Sequence, residues 1–359
     1  MIIIDGVKIF IAATLSFFIG IAITPFVSNY LYSHKMWKKK CGKVGLDGKG
    51  APIFNELHKD KEVGTPRMGG VIIWMSASIT IVGMWLLAKF FPNPIISKLD
   101  FLSRNQTWIP FVTMMIGALV GLVDDFFEIS GNFVGGLSLK KRLIAVGLVS
   151  LFCGVWFYVR LGVVGIGTPW GELYLGWLIV PFFILLSMLL YSGGVIDGID
   201  GLAGGVFSII FSAYGVIAIH QQQINLATFC FALTGAILAF LWFNIPPARF
   251  YMSETGSMAL TITLSVVVFM TGTHSNGYGI FVLPIVALPL IVTTASVVIQ
   301  MLSKKFRNGK KVFLVAPLHH HFEAKGWPSY KVTMRYWILT IIFAIIGVTI
   351  AFLVQPPIL

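Results

Sequence analysis

The chain has 359 residues, of which 57% are hydrophobic and 11% charged, and its mean hydropathy is +0.88. Soluble domains carry about 25% charged residues, so this composition excludes a water-soluble globular fold. The formal charge of +12 is informative mainly through where it falls along the chain.

Ten segments are apolar enough to cross a hydrocarbon layer of about 30 Å as helices. They lie near 9–32, 68–88, 108–125, 143–159, 175–192, 202–219, 225–243, 257–272, 278–302 and 334–354. The expectation is an all-α polytopic membrane protein, one domain over 1–359, without internal repeats. The first segment runs through Pro25 to Tyr32 with no small-residue cleavage site, which reads as a retained span rather than a signal peptide. Between the fourth and fifth spans, Val163 to Leu175 places Gly-Thr-Pro-Trp-Gly among β-branched and aromatic residues and predicts a small surface hairpin. Cys41, Cys153 and Cys230 are far apart, have no ligand spacing and read as free thiols.

Lysine and arginine set the orientation, because the side with their excess stays in the cytoplasm. Segments 33–67, 126–142, 244–256 and 303–335 hold 21 of the 26. Both termini are then outside, the hairpin is periplasmic, and the 1–2, 3–4, 5–6, 7–8 and 9–10 connections are cytoplasmic. Of the 14 acids only Asp5, Asp100 and Glu172 fall on the outer side. Acids have no topological reason to gather on the inner face, so their gathering marks a site there.

Along the inner connections, the first holds His58-Lys59-Asp60-Lys61 and then Gly64-Thr65-Pro66-Arg67-Met68-Gly69-Gly70. Backbone amides freed by glycine suit a phosphate, and a plain turn before a helix suits the same residues equally well. The second opens with Asp124-Asp125, where a long uncharged run leaves the membrane, and closes with Ser138-Leu139-Lys140-Lys141-Arg142. Adjacent carboxylates at a lipid boundary call for a cation, most simply a divalent metal. The basic triplet reads as an anchor to anionic lipid. In the third, Gly193-Gly194 interrupts the fifth span, and Asp197 and Asp200 would share a face if their segment is helical.

The fourth connection offers Asn244, Arg249, Tyr251 for stacking on a base, and Glu254 as an acid at a span end. Interfacial aromatics are commonly mere belt residues, so Glu254 carries the stronger signal. The fifth holds Ala316-Pro317-Leu318-His319-His320-His321-Phe322-Glu323. Three consecutive imidazoles rarely point at one ion, so hydrogen bonding to a substrate is the better reading.

These motifs together resemble the phospho-N-acetylmuramoyl-pentapeptide-transferase (MraY) family, within the polyprenyl-phosphate N-acetylhexosamine-1-phosphate transferase superfamily. The resemblance spans nearly the whole chain, through residues 64–70, 121–129, 197–205, 243–260 and 312–327. The last is the most specific, since related transferases that handle N-acetylglucosamine have a different histidine loop. It implies transfer of phospho-MurNAc-pentapeptide from UDP-MurNAc-pentapeptide to undecaprenyl phosphate, giving lipid I and UMP, with Mg²⁺ required. It also implies a bacterial inner (plasma) membrane protein whose active site faces the cytoplasm, with a homodimer common and no nucleic-acid partner.

By motif position, Asp124, Asp125, His319 and Lys61 would be catalytic, and Glu254 with Asp125 would hold the metal. Asp197, Asp200, Asn244, Tyr251, His320 and His321 would bind substrate. The family carries threonine, lysine, asparagine and aspartate where this chain has Arg67, Glu128, Gly194 and Glu254. The interval from His58 to Gly64 is one residue longer than usual, so either Lys61 or Glu62 takes the aligned position. Two alternatives stay open: an N-acetylglucosamine-1-phosphate transferase on the same lipid, and a paralogue that binds without turning over.

Overall fold

In hydrocarbon every backbone N–H and C=O must be satisfied within its own segment, so long apolar runs become helices. The computed structural model describes residues 2–39, 63–91, 93, 96–103, 106–130, 136–273 and 277–354. Lys61, Glu62 and Cys41 lie outside the described residues.

In chain order the helices are α1 (Ile2–Ser33), α2 (Val71–Phe90), α3 (Trp108–Ser130), α4 (Leu139–Arg160), α5 (Ile179–Ser192), α6 (Leu202–His220), α7 (Ile224–Asn244) and α8 (Ser253–Thr273). They continue with α9 (Gly279–Val286), α10 (Leu288–Phe306), α11 (Leu318–Ala324) and α12 (Ser329–Val354). Nine spans among the described residues are each long and apolar enough to cross a membrane, and α9 with α10 makes a tenth if counted as one bent span.

That pair is where the fold departs from ten straight helices. The expected span 278–302 is broken at Ala287 and bends by 71°. Pro289 has no N–H to donate, and its ring would collide with the carbonyl four residues earlier, so the helix stops and restarts. A hydropathy window averages over such a break.

The predicted hairpin is present: β1 (Gly165–Thr168) pairs antiparallel with β2 (Gly171–Tyr174), in a register that sets Thr168 opposite Gly171. Gly171 has φ +117°, a conformation open to glycine and strained for other residues. Exposed Trp170 at the tip meets Phe281 of α9 edge-on. Cys153 and Cys230 are buried free thiols, as expected.

At the bundle centre, α8 is wholly enclosed. Hydrophobic exclusion does not drive helices together inside lipid, so close backbone approach through small residues takes over. Helix α3 lies on α8 along Gly117, where an added Cβ would sit 3.1 Å from the Ala259 backbone, and along Gly121, where it would strike the Glu254 carbonyl. Gly70, entering α2, meets Gly256 in the same way. These contacts bring the ends of α2, α3 and α8 together at one end of the bundle. At the other end, Lys8 Nζ donates to the Asp100 carbonyl and to Asn225 Oδ1, at 2.6 Å each, and ties α1 to the start of α7.

Candidate active site

The first turn of a helix leaves backbone N–H groups without internal partners, and carboxylates stabilise that positive end. Helix α8 begins amid such acids. Asp125 accepts from Thr255 N at 2.9 Å, Thr255 Oγ1 at 2.6 Å and Glu254 N at 3.4 Å. Asp197 Oδ2 accepts from Ser253 N at 2.9 Å. The capping acids therefore come from α3 and from the 197–201 turn, and they fix where Glu254 sits. Asp125 and the backbone of Glu254 are therefore neighbours.

Asp124, one residue earlier, is equally buried and differently engaged. Its Oδ1 accepts from Leu137 N at 2.7 Å and meets Arg142 Nε at 3.0 Å. Its Oδ2 is buried with no hydrogen-bond partner among the described residues. Arg142, in the first turn of α4, also reaches Glu254 Oε1 with Nη1 at 2.6 Å and hydrogen-bonds Tyr191 at the end of α5. One guanidinium thus ties α3, α5 and α8 together.

A second guanidinium lies beside it. Arg67 Nη1 meets Glu128 at 2.9 Å, its Nε stands 3.8 Å from Asp125 Oδ1 and donates to Ser253 Oγ at 3.2 Å, and Lys38 joins Glu128 at 3.1 Å. Burial opposes the charge on Arg67, but Glu128, Asp125, Asp197 and Glu254 outweigh it and hold the guanidinium above its usual range. Arg67 and Glu128 thus form an ion pair that joins the loop before α2 to the end of α3.

Asp197 and Asp200 do not share a helical face, because residues 197–201 form turns after a 3₁₀ segment, Gly193–Ile196. Asp200 Oδ2 instead accepts from Ala248 N at 3.1 Å. Asn244, expected at substrate, is buried and spends its amide on the scaffold: Oδ1 accepts from Gly201 N at 3.0 Å and Nδ2 donates to the Phe250 carbonyl at 2.8 Å. The glycines before α2 also serve packing, since the Gly69 and Gly70 amides donate to the Tyr251 and Met252 carbonyls at 2.8 and 3.2 Å. Those amides are taken, which leaves the turn reading of this loop. Tyr251 is half-buried, with its backbone N–H on the Pro66 carbonyl at 2.8 Å.

The histidines lie on α11, which docks against the 197–201 turn: a Cβ on Gly198 would collide with the His319 imidazole and lie 3.0 Å from His320 Nε2. His319 and His320 are buried and pack edge to face at 4.2 Å. Glu323 holds His320 Nδ1 at 2.6 Å and accepts from Ser329 Oγ at 2.6 Å. His321 turns away, its Nδ1 accepting from Leu314 N at 3.1 Å. Burial and nearby Lys325 push its imidazole below the usual range.

Sequence reasoning missed Arg142 and Glu323. Arg142 sits in a run of three basic residues whose composition fits lipid anchoring, and only the fold separates it from Lys140 and Lys141. Glu323 had a signal: an acid three residues after His320, on the same face of a short helix.

The site offers oxygen donors, which suit a hard cation such as Mg²⁺, and the vacant Asp124 Oδ2 fits the same ligand. Among the described residues no three His, Cys, Asp or Glu side chains are grouped to hold a metal as they stand, and Arg142 bonds both Asp124 and Glu254.

Acids, arginines and histidines gather at one end of a helical membrane bundle, and the model of glycosyl transferase family 4 matches residues 107–272 of it. The chain is 36% identical to the phospho-N-acetylmuramoyl-pentapeptide-transferase of Levilactobacillus brevis, over 80% of this chain and 85% of that protein. It is 30% identical to the same-named protein of Bacillus thuringiensis, over 95% and 97%. The chain belongs to the phospho-N-acetylmuramoyl-pentapeptide-transferase family.

Proposed function

We propose that the protein transfers phospho-MurNAc-pentapeptide from UDP-MurNAc-pentapeptide to undecaprenyl phosphate, releasing UMP and forming lipid I for peptidoglycan synthesis. The observation that carries this reading is the meeting of Asp124, Asp125, Glu254 and the α11 histidines at one end of a bundle that aligns with a same-named relative over 95% of its length. Residues 197–201 bridge the two groups, with Asp197 on Ser253 and Gly198 against the histidines.

In the reaction an oxygen of the lipid phosphate bonds to the phosphorus that carries the sugar, the bridging P–O bond breaks, and UMP leaves with the electron pair. A phosphate monoester has a second pKa near 6, so the nucleophile is already largely dianionic at neutral pH and needs little general-base help. The principal obstacle is repulsion among the phosphates. Mg²⁺, when bound, would neutralise charge on the diphosphate and departing UMP, and Glu254 with Asp124 would hold it while Asp125 fixes Glu254 from behind. Arg67 lends positive charge to the same cleft, as would Lys61 from the first loop. Asp125 is a poor covalent nucleophile because both of its oxygens are engaged by α8, which favours direct in-line attack. His319 and His320, against Gly198, would donate hydrogen bonds to the donor substrate.

The placement of basic loops supports a cleft on the cytoplasmic side of the bacterial plasma membrane, where the nucleotide donor is dissolved and the lipid phosphate is anchored. A homodimer, common in the family, belongs to the same proposal. The deciding assay gives purified protein undecaprenyl phosphate, Mg²⁺ and either UDP-MurNAc-pentapeptide or UDP-N-acetylglucosamine. UMP release with the first donor alone is expected. Release with the second alone would make the protein a sister transferase, and release with neither would make it a binding paralogue.

A further inference from the structure

Arg142 occupies a position that nothing in the reaction scheme requires it to hold. Its guanidinium lies 3.0 Å from Asp124 and 2.6 Å from Glu254, the two acids with the strongest claim on a cation. Nε also donates to the Leu137 carbonyl at 3.0 Å, and Tyr191 supports the side chain from α5. The side chain is 17% exposed, beside an Asp124 that is fully enclosed. Two carboxylates brought into such surroundings without a counter-charge repel each other strongly, and one arginine spanning both removes that cost. Asp124 Oδ2 nevertheless remains buried with no donor among the described residues, so the arginine satisfies the pair incompletely.

We propose that Arg142 is the internal counter-ion of this cleft, a built-in cation that competes with a divalent metal for Asp124 and Glu254. The proposal rests on the reading of those two acids as the metal-holding pair. Arg142 and the metal cannot both lie between them: two cations confined to one gap would repel each other. Metal entry therefore requires the Arg142 fork to let go. The released guanidinium, a planar double donor suited to phosphate oxygens, then has the substrate diphosphate as its natural partner. Cation binding in the absence of substrate is thereby weakened, and substrate strengthens it by taking Arg142 away. Bridging two carboxylates needs a fork, and a lysine ammonium is a compact point charge on a flexible stem.

The test is Mn²⁺ binding to the detergent-purified full chain, followed by electron paramagnetic resonance without substrate, for the wild type, Arg142→Gln, Arg142→Lys and Glu254→Gln. Removal of the counter-ion is expected to tighten Mn²⁺ binding by about tenfold or more in Arg142→Gln, within the range by which groups around metal ligands tune affinity. A smaller tightening is expected in Arg142→Lys, which keeps the charge and loses the fork and so gives a readout even if the glutamine variant folds poorly. Binding in the Arg142 variants equal to or weaker than wild type, with Glu254→Gln still abolishing it, overturns the proposal and leaves the metal site standing. Binding unaffected by Glu254→Gln removes the metal-holding pair itself, and the proposal falls with it.

Discussion

Asp124 and Asp125 are adjacent in the chain and look interchangeable as letters, yet the fold divides their work. Asp125 is committed to the first turn of α8 by three donors, while Asp124 keeps one oxygen without a partner among the described residues. Asp125→Asn is therefore expected to act largely through structure, losing about 1–2 kcal/mol with its charge-assisted cap bonds. Asp124→Asn keeps an oxygen for Leu137 N and Arg142, so it is expected to lower the melting temperature less than Asp125→Asn does and to lower turnover by about 100-fold or more, the scale of a lost catalytic group. Thermal unfolding measured beside UMP release checks the division, and equal melting temperatures for the two variants would refute it. That acids at this boundary mark a site was legible from charge placement alone. Which acid caps and which stays available was not, because that depends on the position of α8, far away in the sequence. Asn244 shows the same gap: a polar residue at a span end looks ready for substrate, but its partners are two backbone groups of neighbouring turns.

The helices were legible because lipid forces apolar runs to close their own hydrogen bonds, and the hairpin because turn residues punctuate it. The break between α9 and α10 was harder to see, since Pro289 lies inside a run whose average hydropathy is unaffected by geometry. What holds the site elements together is the seam between α3 and α8. Gly121 sits against the Glu254 backbone, so a methyl there has to displace the first turn of α8 and the acid on it. Gly121→Ala is expected to cost about 1–3 kcal/mol, as overpacking does, and to reduce turnover more than Gly83→Ala on α2, where an added Cβ meets nothing within 4 Å. Urea unfolding and UMP release measured on both variants make the comparison. A Gly121→Ala protein as stable and active as the Gly83→Ala one would place the seam elsewhere.

For the molecule as a whole, the lysine and arginine count predicts one face inside and the other outside, and the described site residues lie at the end that count assigns to the cytoplasm. Single cysteines at Lys310 and at Trp170, in a chain whose native cysteines are replaced, give a direct readout in intact cells. Position 310 is expected to resist a membrane-impermeant maleimide until the cells are opened, and position 170 to react from outside. The reverse pattern would invert the orientation and with it the cytoplasmic site.

Helix α8 carries Glu254 and is fully enclosed by protein, and it is also the least apolar of the nine single spans. A segment so placed gains little from contact with acyl chains during synthesis, and its many threonines and serines bond back to its own carbonyls. Its residence in the bilayer depends on α3 already being there to receive it and on later helices arriving to close around it. The helix that carries Glu254 thus reaches its enclosed position only once the helices that surround it, earlier and later in the chain, have been made.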